Sequence, residues 1–134
     1  MQTMNQGERA FNLCVRCGTC RTVCPAFLES GWESANTRGR MMIIKELTSG
    51  RLQADGDVLR SLNTCTTCGL CTENCPAGIS PPEIIERARR MLAIQGKVTP
   101  EQDALSRSIF QSGNTFGTGD DRLAWLQDRS LVRK

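Results

Sequence analysis

The chemistry open to this chain lies in its eight cysteines, which fall into two matching runs. The first is Cys14-Val15-Arg16-Cys17-Gly18-Thr19-Cys20-Arg21-Thr22-Val23-Cys24-Pro25-Ala26. The second is Cys65-Thr66-Thr67-Cys68-Gly69-Leu70-Cys71-Thr72-Glu73-Asn74-Cys75-Pro76-Ala77. Each cysteine has its counterpart in the other run, and none is left over. A 4Fe–4S cubane needs four thiolates at tetrahedral directions. Cys-x2-Cys-x2-Cys lets one tight turn wrap three corners and aim backbone N–H groups at the sulfurs. The cysteine before the proline lies beyond that turn, and in two-cluster proteins it ligates the other cluster. The spacing therefore predicts a crossed pattern. Cys14, Cys17, Cys20 and Cys75 hold one cluster, and Cys65, Cys68, Cys71 and Cys24 hold the second.

A rival reading is two structural zinc sites of four thiolates each, making the chain a zinc-stabilised interaction module. Zinc sites use two separated Cys pairs, which leaves the third cysteine and the proline of each run unexplained. Purified protein would then be colourless and free of acid-labile sulfide. Histidine is absent, which excludes a His general base, a Ser-His or Cys-His nucleophile, His-ligated haem and a mixed Cys/His zinc site. There is no glycine-rich nucleotide loop and no flavin fingerprint. The chain itself is expected to make no bonds; its thiolates hold clusters, while the protein sets potentials, distances and solvent access.

The 134 residues suffice for one compact domain, with aromatics at only 4%. So thin a supply of large side chains calls for a metal centre or cross-links at the core. Met1 to Leu13 carries no basic stretch followed by an apolar one, and the longest aliphatic run is Met41 to Ile44. Neither a secretory signal nor a membrane span is expected, so the chain is read as cytoplasmic, or membrane-peripheral through its partners. In a reducing compartment cysteines serve as metal ligands more often than as disulfides. The formal charge is +3. Two oxidised cubanes with their thiolates bring about −2 each, leaving the loaded chain at about −1, so no nucleic-acid partner is expected.

Helices must position these runs. Ser80-Pro81-Pro82-Glu83 is a capping-box signature with proline in the first turn. Ile84, Ile85, Ala88, Met91 and Leu92 then share one face, up to a stop at Gly96. Thr99-Pro100-Glu101-Gln102 repeats the signature ahead of Leu105 and Ile109. Gly39 to Leu47 reads as a helix closed by Gly50. Val58, Leu59 and Leu62 form a short helix feeding into Cys65. Asp120 and Asp121 cap a last helix with Leu123 and Leu126. Glu29 to Asn36 carries no clear element signal, and the Gly-rich Gly113 to Gly119 reads as a surface loop. Strand periodicity is lacking. The fold class is all-α: one domain over residues 1–134, with a core at about 11–96 and a helical tail at 97–134.

The two runs and their helical spacer resemble the α-helical ferredoxin domains, in particular the heterodisulfide reductase C/D-like group. That group also includes the iron–sulfur subunits of glycolate oxidase and anaerobic glycerol-3-phosphate dehydrogenase. Beyond the cysteines the resemblance rests on three segments: Arg38-Gly39-Arg40 opening the spacer helix, Cys75-Pro76-Ala77-Gly78-Ile79 leading into the helix with Arg87, and Gly113-Asn114-Thr115-Phe116-Gly117 with Arg122 and Trp125 beyond. Thr115 stands where the family usually has proline. The resemblance spans roughly Phe11 to Trp125. It implies an all-α fold with two 4Fe–4S clusters, passing single electrons between a flavin- or thiol-based active site and another carrier. Larger members continue into cysteine-rich CCG domains. No such segment occurs up to Lys134, so a CCG partner, where there is one, is expected to be a separate polypeptide.

The function expected is an electron-transfer subunit of an oxidoreductase complex, partnered by a flavoprotein, a CCG-domain protein or both. A free soluble ferredoxin shuttle is the alternative. Arg16 and Arg21 either raise the potential of the Cys14 cluster or meet solvent or a partner. Arg87, Arg89 and Arg90 form a solvated face or a docking patch. Met41 to Ile44 pack in the core or at an interface, and Trp32 and Trp125 cover a cluster or an interface. Gly18 and Gly69 supply the freedom to wrap close to a cubane.

Overall fold

A computed structural model describes residues 13–116. The described residues are helical, with no strand among them. The chain divides into two compact units, Met1–Thr99 and Pro100–Lys134.

In the first unit two four-residue helical turns, α1 (Thr19–Thr22) and α5 (Leu70–Glu73), occupy matching places in the two cysteine runs. Between them lie α2 (Pro25–Ser30), a 3-10 turn (Glu33–Ala35), α3 (Thr37–Thr48) and α4 (Gly56–Asn63); α6 (Pro81–Ile94) follows. The helix expected from Gly39 begins two residues earlier. Asn36 caps it, its side-chain oxygen accepting the Gly39 N–H at 3.0 Å. Asp55 does the same for α4, accepting the Val58 N–H at 2.9 Å. Each cap satisfies an N–H that has no partner within the helix. The segment from Glu29, which carries no clear signal in the sequence, is in part helical. Pro25 starts α2, Gly31 ends it with φ +72, and the 3-10 turn delivers the chain to Asn36. Ser80 starts α6 without a side-chain cap, leaving the two prolines to set the first turn.

The core is where α3, α4 and α6 meet. Met41 and Ile44 come from α3, Val58, Leu59 and Leu62 from α4, and Ile85, Ala88 and Leu92 from α6, with Ile79 from the segment before it. These residues recur at spacings of three and four, so one stripe of each helix faces inward. Gly39 allows α3 to lie against the 3-10 turn: a Cβ there would stand 2.0 Å from the Glu33 carbonyl oxygen. Beside this core an apolar groove is lined by Leu47, Leu52, Ile84 and Met91 among others.

The second unit contains α7 (Pro100–Ser112), which buries none of its residues. Arg107 and Asp103 pair along it at 3.1 Å. Beyond it the Ser108 hydroxyl donates to the Asn114 carbonyl at 3.0 Å, and the Phe116 N–H to the Asn114 side-chain oxygen at 2.6 Å. The helix expected at Asp120, together with Trp125, lies outside the described residues. Among those described, no helix is long and apolar enough to cross a membrane.

Candidate metal centre

The two cysteine runs repeat in backbone as well as in sequence. Gly18 and Gly69 have φ +87 and +82, and Arg16 and Thr67, two residues earlier, have φ +57 and +52. Left-handed backbone at a non-glycine residue costs on the order of 1–2 kcal/mol, and Thr67 is β-branched besides. The alternation curls each loop so that its three cysteines face one concave side. The turn then closes identically in both copies: Arg21 N–H donates to Gly18 O at 2.9 Å, and Thr72 N–H to Gly69 O at 2.8 Å. After the proline the copies part. The first run continues as α2, whereas Gly78, at φ +64, breaks the second before α6.

Two hollows result. One is lined by Cys14, Cys17, Cys20 and Cys75, and also by Cys71. The other is lined by Cys24, Cys65, Cys68 and Cys71. They enclose ≈ 410 and ≈ 320 Å³ of space between atoms, open mouths included. Thr37 and Cys71 line both, so a single wall separates them. That wall is built from the first turn of α3 and Cys71 of α5. The Arg38 backbone and the Thr37 side chain there favour the thiolate forms of Cys20 and Cys71. A helix N-terminus with unpaired N–H groups is a favourable neighbour for thiolates and for an anionic cluster.

The sulfurs differ in exposure. Cys24 and Cys71 are buried, Cys17 and Cys68 are exposed, and the other four are intermediate. Burial pushes the Cys20 and Cys71 thiols up, against the effect of Arg38 and Thr37. The Thr19 hydroxyl holds the Cys17 thiol below its ordinary value. Among the described residues no three Cys, Asp or Glu side chains converge on a point for a single ion. A cubane's thiolates stand apart around its corners, which is how each set of four lines its hollow.

The donor set fits an anionic cluster in a second way. Arg40 is 0% exposed and lines the hollow with Cys24. Its Nε donates to the Ser61 carbonyl at 2.7 Å and its Nη2 to the Thr64 hydroxyl at 2.8 Å. Among the described residues no carboxylate pairs with it. A buried guanidinium left uncompensated costs several kcal/mol, roughly 3–5 in measured cases. Four thiolates around a 2+ core supply the missing negative charge.

Several of these residues carry no signal in the sequence, or a different one. Motif spacing singles out Arg40 only as part of a family segment, and Thr37 not at all. Arg89, expected with its neighbours on a solvated face or docking patch, turns inward and donates to the carbonyls of Leu62 and Cys65 at 2.5–3.0 Å. Arg21 points along the surface, 3.6 Å from Glu33 and over the Phe27 ring. Trp32 covers neither hollow and is 73% exposed.

Comparisons with known proteins agree with this geometry. The family described as the 4Fe-4S dicluster domain matches residues 10–79. The probable glycolate oxidase iron-sulfur subunit of Bacillus subtilis is 37% identical over 110 residues, covering 81% of this chain and 24% of that protein. The C-type subunit of the ferredoxin:CoB-CoM heterodisulfide reductase of Methanosarcina mazei is 33% identical over 101 residues, covering 75% and 58%. The D-type subunit of the dihydromethanophenazine:CoB–CoM heterodisulfide reductase of Methanosarcina barkeri is 31% identical over 134 residues, covering 84% and 32%. The chain thus spans from about a quarter to under two thirds of the length of these relatives. Two hollows walled by eight cysteines, a helix N-terminus between them, and a family match across both place this all-α chain in the 4Fe-4S dicluster domain family, as an iron–sulfur protein with two 4Fe–4S clusters.

Proposed function

We propose that this chain relays single electrons inside an oxidoreductase complex, through two 4Fe–4S clusters with crossed ligands. Cys14, Cys17, Cys20 and Cys75 hold one cluster; Cys65, Cys68, Cys71 and Cys24 hold the other. The observation that carries this reading is the lining of the hollows, in which each loop of three cysteines meets the proline-linked cysteine of the opposite run. The clusters supply one-electron redox chemistry when bound. The protein's part is to hold them side by side across the Thr37 wall, to aim N–H and O–H groups at the sulfurs, and to keep Cys24 and Cys71 out of water. Crossing ties the two runs together, so the separation between clusters is set by the fold.

The partner subunits are a flavoprotein, a separate CCG-domain protein or both. The complex is of the heterodisulfide reductase kind or oxidises a 2-hydroxyacid or glycerol 3-phosphate, in the cytoplasm. Apolar side chains on and beside the loops support docking: Leu13 precedes the first run, Val15 lies within it and Leu70 lies in the second, all exposed. A carrier that shuttles freely has less use for such a rim.

The test is anaerobic reconstitution with iron and sulfide. Cys24→Ser is expected to alter the EPR signal of the cluster held by Cys65, Cys68 and Cys71, and Cys75→Ser that of the other. Each serine variant disturbing the cluster of its own run would refute the crossing. Co-purification with a flavin- or CCG-containing protein is expected of a fixed subunit, and recovery as a lone carrier would favour the shuttle.

A further inference from the structure

The two hollows are alike in their cysteines and unlike in the charge around them. The hollow of Cys14, Cys17 and Cys20 has Arg38 beside it, but Glu33 accepts from the Arg38 Nε at 2.6 Å and also faces Arg21. That carboxylate offsets one positive charge, and both arginines reach solvent, where water and salt screen them. Arg16, the remaining charge of that loop, is exposed. The hollow of Cys65, Cys68 and Cys71 differs. Arg40 lies fully buried on its wall with no carboxylate partner among the described residues. Arg89, half-buried, donates to the Cys65 carbonyl at 2.6 Å. The two guanidiniums lie near enough to repel each other, while the Cys65 thiolate and the Glu86 carboxylate attract Arg89. Arg40 has no such carboxylate among the described residues, and a fully buried cation is tolerable only beside an anion.

We infer that Arg40, with Arg89 behind it, makes the cluster held by Cys65, Cys68 and Cys71 the higher-potential member of the pair, where an electron entering the chain comes to rest. An added electron lowers the core from 2+ to 1+ and adds one negative charge to the site. A buried cation stabilises that charge more than an exposed, carboxylate-paired one, because the intervening medium screens it less. This reverses the order that Arg16 and Arg21 suggest when read in sequence alone. Electrons therefore run downhill from the cluster at the Cys14 loop to the one at the Cys65 loop. Arg40 is a tuning residue and does not touch the cluster's ligands through the bonds described. The inference rests on the two-cluster reading and needs only that Cys68 belongs to this hollow, so it survives even if the crossing of Cys24 and Cys75 fails.

The experiment is an EPR-monitored potentiometric titration of the full chain, reconstituted anaerobically, with iron and sulfide counted in parallel. Cys68→Ser marks which signal belongs to the Cys65 loop. The marked signal is expected to appear first, at the higher potential, in the unsubstituted protein. Arg40→Gln is expected to lower that midpoint and to move the other less, while Arg40→Lys, which keeps the charge, restores most of it. The inference is overturned if the marked cluster is the second to be reduced. It is also overturned if Arg40→Gln retains two clusters with both midpoints in place, or if Lys and Gln shift the midpoint alike. Should Arg40→Gln lose iron, the reduction order of the unsubstituted protein still decides. A chain that binds no iron in any form fails the two-cluster reading itself, and the iron and sulfide counts tell that apart.

Discussion

Single atoms decide much of this site. Gly39 is the sharpest case, since any side chain there would run into the Glu33 carbonyl. Gly39→Ala is expected to push α3 off the 3-10 turn and to cost about 3 kcal/mol or more, the upper part of the overpacking range, because the obstacle is backbone that cannot rotate away. Loss of bound iron together with a fall in the urea midpoint of the loaded protein would show it; an unchanged midpoint would contradict the close approach. Thr37 makes a finer test. It lies on the wall between the hollows, where its side chain favours the Cys71 thiolate. Hydrogen bonds to cluster sulfurs raise the potential. Thr37→Val keeps the shape, and is expected to lower the midpoint of the Cys71-ligated cluster with both clusters retained. Potentiometry on the variant checks this, and no shift would mean the hydroxyl is idle.

Among the elements, α3 holds the most roles at once. Its first turn separates the hollows, its middle supplies Met41 and Ile44 to the core, and Arg40 pins it to the end of α4 through Ser61 and Thr64. The α4 helix in turn feeds directly into Cys65, so its stability governs the placement of the second loop. Asp55 caps it from an exposed position. Asp55→Ala is expected to destabilise the loaded protein by about 1 kcal/mol, and Asp55→Asn by much less, since Asn caps nearly as well. Chemical denaturation followed by far-UV circular dichroism measures both. Equal losses in the two variants would mean that the charge, not the capping hydrogen bond, is what matters.

Among its described residues the first unit buries few apolar side chains, and they gather where α3, α4 and α6 meet. Away from them lie two loops that curl around open space, with left-handed residues that nothing else in the fold demands. Ligand binding and folding are coupled in such a molecule, because the binding free energy of the ligands is also folding free energy. Removing the iron with a chelator under reducing conditions is expected to abolish the cooperative unfolding transition and much of the helical signal. Helicity that survives chelation with a sharp transition intact would show that the three-helix core stands alone. The exposed apolar residues beside the loops belong at this scale too, since an electron carrier is completed by the surfaces it meets.

Much of this is legible along the chain. The repeated Cys-x2-Cys-x2-Cys-x3-Cys-Pro run specifies an iron–sulfur ligand set by local geometry alone, because three corners of a cubane lie within reach of one turn. Helical periodicity marks α3, α4 and α6, and the prolines and glycines bound them, because capping and left-handed stops are short-range effects. The turn at Glu33 and the helix beginning at Pro25 escape such a reading, having too few residues to show a period. What only the tertiary structure decided is the company each loop keeps. Arg38 and Arg40 are separated by one glycine in the sequence, yet one is exposed to a carboxylate and the other sealed away from every carboxylate described. A helix turns by about 100° per residue, so residues two positions apart face nearly opposite ways, and which side meets water depends on where α4 and α6 pack. Charge counted along a motif therefore says little about charge felt at a metal centre, because burial and pairing are properties of the folded chain.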